Sequence, residues 1–341
     1  MIRLGIDATS VSPSGKGIAR VQRGTVRALA ELGRHELVVF AGHPEELPEV
    51  EAVRVTTRPT IVWEQLGLAR AFRRHRLDAL LTWTERLPVV GGGPFVVWLF
   101  EPPTHRIEQN RRIGAGPWQR GSDLVTSALW EKSLGRARLV FTGSAETAEA
   151  VRQAAPAARP LYPGLDPSFR AESDGGRHSH HVDYVLHVGS DDPRDDTQTA
   201  IEAAQRAGAR LVVAGEYRGP AMGAELVGRV SDERLAELYR GASAFVDASL
   251  YEGFGYQVLE AMACGTPVVA SNTTSIPEIV GDAALLCPPG DADAFAEALR
   301  RILNDNALAA SLRARGLARA AEFTWERTAR EFSDALDEAL A

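Results

Sequence analysis

The sequence predicts an α/β protein made of two doubly wound parallel-sheet domains. Three observations predict it. The chain has 341 residues, about twice an ordinary domain. Short, continuously apolar strands alternate with helical patterns, as in parallel sheets covered on both faces. The second half then repeats that alternation.

In the first half, strands are expected at 2–7, 36–41, 52–57, 77–83, 94–100 and 138–143, and helices at 18–32, 63–75, 120–135 and 144–154. The stretch "ESDGGRHSHHVD" (172–183) is polar and glycine-bearing and reads as a linker. Its His178, His180 and His181 lack a partner cluster at ligand spacing and read as solvated rather than metal-binding. Beyond it, strands are expected at 184–190, 210–215, 243–249, 267–271 and 283–287. Helices follow at 195–207, 231–240, 255–263, 291–303 and 306–321, and the tail is one more amphipathic helix. The expected domains are 1–171 and 184–323, joined by 172–183 and followed by the helix at 324–341. Open α/β sheets bind ligands at the carboxyl ends of their strands, so a ligand is expected in a cleft between the domains.

Composition narrows the classes of function. Residues 1–170 hold 23 Lys+Arg and 17 Asp+Glu (net +6); residues 171–341 hold 15 and 28 (net −13). A basic first half suits an anionic acceptor or an anionic lipid surface. No nucleic-acid recognition motif accompanies the charge. No apolar run reaches the length of a membrane span, and the opening "MIRLGIDATS" has no basic-then-apolar leader. Cys264 and Cys287 are too few for a disulfide framework. A cytoplasmic location is expected, with at most peripheral contact at the inner membrane face.

The most informative stretch is "SLYEGFGYQVLEAMACGTPVVAS" (249–271). A helix there stops at "CGTP", a glycine followed by a proline, and so begins at "GFG". Its first amides and the positive end of its dipole form an anion site, and the glycines allow close approach of a ligand. Glu252 precedes the helix and Glu260 lies within it. One carboxylate can hold a sugar's hydroxyls and the other a ribose, with phosphates between them. That is the shape of a nucleotide-sugar.

Residues 226–326, from "VGRVSDERLAELYRGASAFVDASLYEGFGYQVLEAMACGTPVVASNTTSIPEIVGDAALLCPPGDADAFAEAL" to "FTWE", resemble the nucleotide-sugar domain of the family-4 retaining glycosyltransferases, which have the GT-B fold of two Rossmann-like domains. The first half matches more loosely, at "SGKGIARVQRGTVRALAEL", "LDALLTW", "VFTGSAETAEAVR" and "YPGLDPSF". The resemblance implies that Glu260 binds the ribose, that Glu252 lies beside the transferred sugar, and that backbone of Gly253, Phe254, Gly255 and Tyr256 holds sugar hydroxyls and phosphate. Arg229 and Val230 fall where the base is held. Gly189, Ser190, Arg194 and Val258 complete the expected donor set. Gly15 and Gly17 would reach the donor phosphate or the acceptor, with Lys16, Arg20 and Arg106 on the acceptor side. The last helix would cross back to the first domain.

Two departures stand out. Where the family carries lysine near the diphosphate, this chain has Asp195, and no lysine follows Lys132. Arg194 is expected to contact the diphosphate; the other reading is altered phosphate handling by a metal or by an arginine of the first domain. Where related enzymes have a histidine and an aspartate, Phe100 and Glu101 stand. Glu101 and His105 become the acceptor-side candidates for acid–base work. The expected activity is transfer of a sugar from a UDP- or GDP-linked donor, with retention and without metal, to a glycan, lipid or small-molecule acceptor. The leaving diphosphate would be stabilised electrostatically, and a covalent glycosyl-enzyme ranks second. The competing readings are a nucleotide-sugar epimerase or hydrolase on the same fold and a non-catalytic nucleotide-sugar binder.

Overall fold

The computed structural model describes residues 1–13, 17–56, 60–112, 116–171 and 184–341, without the side chains of residues 106, 109–112 and 117–119. Two compact units result: Met1–Gly164 with Thr324–Ala341, and Leu165–Phe323.

The first unit runs β1 (Arg3–Ala8), α1 (Ile18–Leu32), β2 (Glu36–Ala41), β3 (Ala52–Arg54) and α2 (Thr60–Val62), which passes through a π turn (Trp63–Gly67) into α3 (Leu68–Arg74). It continues with β4 (Ala79–Thr82), β5 (Phe95–Leu99), α4 (Pro103–Arg112), α5 (Pro117–Leu134), β6 (Leu139–Thr142), α6 (Ala145–Ala150) and β7 (Arg159–Pro160). The seven strands are parallel in the order β3-β2-β1-β4-β5-β6-β7. Leu4 pairs in register with Leu37 and Ala79, and β4 and β5 are buried along their whole lengths, which is why these strands read as continuous apolar runs.

The second unit runs β8 (Val185–Val188), α7 (Thr197–Ala207), β9 (Leu211–Ala214), β10 (Glu225–Gly228), α8 (Asp232–Gly241), β11 (Ala244–Asp247) and α9 (Tyr256–Ala263). It ends with β12 (Val268–Ser271), α10 (Ile276–Val280), β13 (Ala284–Cys287), α11 (Ala292–Asn304) and α12 (Asn306–Ala320). The six strands are parallel in the order β10-β9-β8-β11-β12-β13. Small residues of α7 (Ala200, Ala203, Ala204) share a core with Phe295, Leu299 and Ile302 of α11. Ser231, Asp291 and Asp305 accept backbone N–H bonds at the starts of α8, α11 and α12, each satisfying donors that the helix leaves open.

The last helix, α13 (Trp325–Leu340), belongs to the first unit and packs on α1. Phe332 meets Phe141 at 5.7 Å between ring centres. Thr328 Oγ1 donates to Tyr162 O at 2.7 Å, and Arg34 pairs with Asp334 and Asp337.

Four short elements differ from the sequence expectation. β7 has two residues and β10 is a largely exposed edge strand, so neither carries an apolar run. α4 opens at Pro103 and α10 has Pro277 in its first turn; proline suits a first turn but reads as a breaker. Residues 165–171 belong to the second unit rather than the first, because the Leu165 N–H bonds Phe323 O (3.1 Å) within that unit. The stretch 172–183, with its three histidines, lies outside the described residues.

Candidate functional site

Each sheet has a point where strand order reverses, and there the loops after adjacent strands diverge to leave a crevice. In the second unit that point lies between β8 and β11. The loops leaving these strands carry Gly189, Ser190 and Arg194 on one side and Glu252 to Tyr256 on the other. They are tied together where the Leu250 N–H donates to Arg194 O at 2.7 Å. A Cβ on Gly189 would collide with His187 and Thr197, so the tight exit from β8 requires glycine.

Gly255 begins α9 with φ 94° and ψ 50°, the left-handed region, and offers no side chain as a cap. A Cβ there would sit 2.9 Å from Ile276 Cδ1. Being glycine, the N-cap brings no side chain of its own to the dipole end of α9. Glu252 is fixed through its backbone: its N–H donates to Thr274 Oγ1 (3.0 Å), and Ser275 Oγ donates to its carbonyl (2.8 Å). Its carboxylate accepts a long bond from Ser249 Oγ (3.5 Å). Asp247, at the end of β11, is fully buried; its Oδ1 accepts the Ser249 N–H (3.0 Å) and its Oδ2 has no partner among the described residues.

Burial, then the negative fields of Asp247 and Asp195, push Glu252 up to about 8, against the pull of Arg194. Burial also raises Asp195, with Asp192 and Asp247 adding to the effect and Ser190 and His187 opposing it. At neutral pH Glu252 is thus a neutral carboxyl, able to donate a hydrogen bond and unable to repel an anion at the helix start.

Other expected residues are placed as follows. Arg194 is gripped by Asp192: Nε donates to both carboxylate oxygens (3.2 Å each) and Nη2 to Oδ2 (2.8 Å). Asp195 accepts from Ser190 Oγ at 2.6 Å. Glu260 is 2% exposed and accepts from Tyr239 Oη at 3.2 Å. Phe254 is buried against Tyr256 (4.9 Å) and Phe323 (6.0 Å). Val258 faces the core, leaving only its backbone to meet a ligand. Arg229 and Val230 follow β10, with Arg229 exposed and donating to Glu216 (3.5 Å).

In the first unit, Gly17 (φ 54°) starts α1, and the Arg20 N–H bonds its carbonyl at 3.0 Å. Gly15, Lys16 and the side chain of Arg106 lie outside the described residues. Glu101 precedes α4, and His105 is exposed in the first turn of that helix. Phe100 packs on Trp98 (5.4 Å), which stacks on Trp83 (6.2 Å, 28°).

Sequence reasoning missed two buried acids beside the reversal points: Asp247, the last residue of β11, and Asp7, the last but one of β1. Asp7 accepts from Thr9 Oγ1 (2.7 Å), Thr82 Oγ1 (2.9 Å) and Trp63 Nε1 (3.1 Å), while burial raises its pKa. The available signal was a lone acid closing an apolar strand, in "LGIDA" and "AFVDA". Among the described residues no cluster of three or more His, Cys, Asp or Glu is arranged to hold a metal, and no helix is long and apolar enough to cross a membrane.

Comparison with known proteins adds to this geometry. Residues 170–319 match the family model "Glycosyl transferases group 1". The O-antigen chain mannosyltransferase B of Escherichia coli is 40% identical over 162 residues, 42% of this chain and 42% of that protein. The MMP alpha-(1->4)-mannosyltransferase of Mycolicibacterium hassiacum is 39% identical over 116 residues, 33% of this chain and 28% of that one. Each match thus spans less than half of the relative. In fold the whole chain is similar to sucrose-phosphate synthase from Thermosynechococcus elongatus (TM-score 0.77, 21% identity, 99% of each chain covered).

Proposed function

We propose that this chain, whose residues 170–319 match the glycosyl transferases group 1 model and whose fold is GT-B, is a retaining hexosyltransferase using a nucleoside-diphosphate sugar, with mannose the first sugar to try. The observation that carries this reading is the start of α9. A left-handed glycine without a side-chain cap stands beside a carboxyl raised to about 8. The amides there would take up charge developing on the leaving diphosphate, and fixed dipoles aimed at developing charge are the strongest source of rate enhancement open to such a site. Glu252, neutral at pH 7, would bond a hydroxyl of the sugar without repelling the phosphates. The acceptor hydroxyl would attack from the leaving group's face and pass its proton to a phosphate oxygen, so no carboxylate nucleophile is needed.

Arg194 has a secondary part in this scheme. Its guanidinium is held by Asp192 through Nε and Nη2, which fixes the direction in which it can meet a phosphate. Mannose is preferred because the two relatives above are named mannosyltransferases. GDP- and UDP-linked donors are both expected to be tried, without added metal.

The deciding experiment incubates the protein with GDP-mannose or UDP-glucose and candidate acceptors. It follows nucleoside-diphosphate release and reads the product's anomeric configuration by NMR. Release that requires acceptor, with retained configuration and with loss in Glu252→Ala, is the expected result. Turnover without acceptor would instead indicate hydrolysis or epimerisation, and inversion would defeat the same-face mechanism.

A further inference from the structure

Asp247 is the buried acid of the second unit to which sugar transfer assigns no part. It ends β11, an interior strand, and pairs in register with Ala270 of β12. It is fully buried. An acid taken out of water at the centre of a parallel sheet needs a compensating partner. Its Oδ1 accepts the Ser249 N–H at 3.0 Å, and Ser249 Oγ donates to Glu252 Oε1 at 3.5 Å. One buried serine thus joins the two carboxyls. Asp247 Oδ2 accepts no bond from the described residues. Buried acceptors left open in this way are rare in folded proteins and call for a role.

The groups around it are committed elsewhere. Arg194 Nη2 donates to Asp192 Oδ2 at 2.8 Å. His187 Nδ1 donates to Val246 O at 2.9 Å, and its Nε2 meets Thr197 Oγ1 at 3.2 Å. Tyr239 Oη donates to Glu260 Oε2 at 3.2 Å. Ser190 Oγ donates to Asp195 at 2.6 Å. Thr274 and Ser275, from the loop after β12, hold the backbone of Glu252 and leave its carboxyl to Ser249. After burial, Asp247 weighs most in keeping a proton on Glu252, ahead of Asp195 and against Arg194.

We infer that Asp247 is a positioning residue acting through Glu252: by way of Ser249 it aims that carboxyl, and its open Oδ2 favours the protonated form, so that a diphosphate and a proton occupy the donor site together. This role presupposes the nucleotide-sugar reading of the site. The linkage is reciprocal. An ionised Glu252 repels an anion at the start of α9, and an anion there opposes ionisation of Glu252. Above about pH 8 a diphosphate therefore draws a proton in as it binds and lets it go as it leaves.

The test is calorimetric titration of the full chain with GDP and with UDP, without acceptor, at pH values on both sides of about 8. Wild-type affinity is expected to fall above that point by up to about tenfold for each pH unit. Asp247→Asn keeps an acceptor for the Ser249 N–H and removes the charge, so its decline should begin at lower pH. Asp247→Ser, smaller and uncharged, repeats the test should melting show that the amide disturbs folding. Glu252→Gln should bind without this decline, and adding Asp247→Asn to it should leave the pH dependence unchanged. Ionisation of the nucleotide itself is common to all these proteins and cancels in the comparison. A residue that serves packing alone would alter melting and leave the profiles in place. An unmoved profile in both Asp247 variants would overturn the inference. So would an equal gain in affinity at every pH, the mark of a merely repelling charge, or a shift that persists beside Glu252→Gln. Absence of nucleotide binding at every pH would sink the glycosyltransferase reading as well, whereas binding with an unmoved profile sinks the role of Asp247 alone.

Discussion

Glu252 sets the pH behaviour of the second unit. Its carboxyl titrates near 8 in the folded chain and near the ordinary 4.5 when unfolded. The folded state therefore holds the extra proton between those values, and stability from this group falls as pH rises through that window. Glu252→Gln should flatten the decline, leaving the variant several degrees more stable than wild type at pH 9 and little changed at pH 4, by thermal melts across pH. The same variant should keep much of its transfer activity, because an amide can bond the sugar hydroxyl as a neutral carboxyl does, whereas Glu252→Ala should lose it. Gly255→Ala should behave oppositely. A Cβ at φ 94° and 2.9 Å from Ile276 costs about 1–2 kcal/mol in stability and should also abolish nucleoside-diphosphate binding by calorimetry. Unimpaired binding in that variant would remove the start of α9 from the site.

At the level of elements, α13 is joined to α1 through glycine. A Cβ on Gly24 would run into the Trp325 ring, and one on Gly164 into the Trp325 backbone. Gly24→Val should cost about 1–3 kcal/mol by urea unfolding and act on the first unit. Most of this level is legible in the sequence. Long helices such as α1 and α11 announce themselves by periodicity, and parallel strands such as β5 by unbroken apolar runs. What stays hidden has physical reasons. β10 is an exposed edge, and α4 starts on a proline that reads equally well as a loop. The loop that holds Arg194 can be read from the chain, but the partner of that arginine cannot. Asp192 lies only two residues away, and nothing in the spacing says which way a guanidinium turns. Asp7 and Asp247 gain meaning only once the strand order shows where each sheet reverses.

For the molecule as a whole, the two units have opposite charge and separate cores, so calorimetry should resolve two transitions. A nucleoside diphosphate at about 100 times its dissociation constant should raise the stability of the second by about 2.7 kcal/mol and leave the first unchanged. A shift of the first transition alone would place the nucleotide in the wrong unit. The second unit, Leu165–Phe323, interrupts the first, which resumes only at Thr324. On the ribosome, the opening seven-stranded sheet thus emerges long before α13, and Phe141 and Trp325's glycine neighbours wait uncovered while the inserted unit is translated and folds. The first unit is begun before the second but finished only after it, when α13 emerges, and chains stalled after residue 323 should be the ones that protease clearance removes.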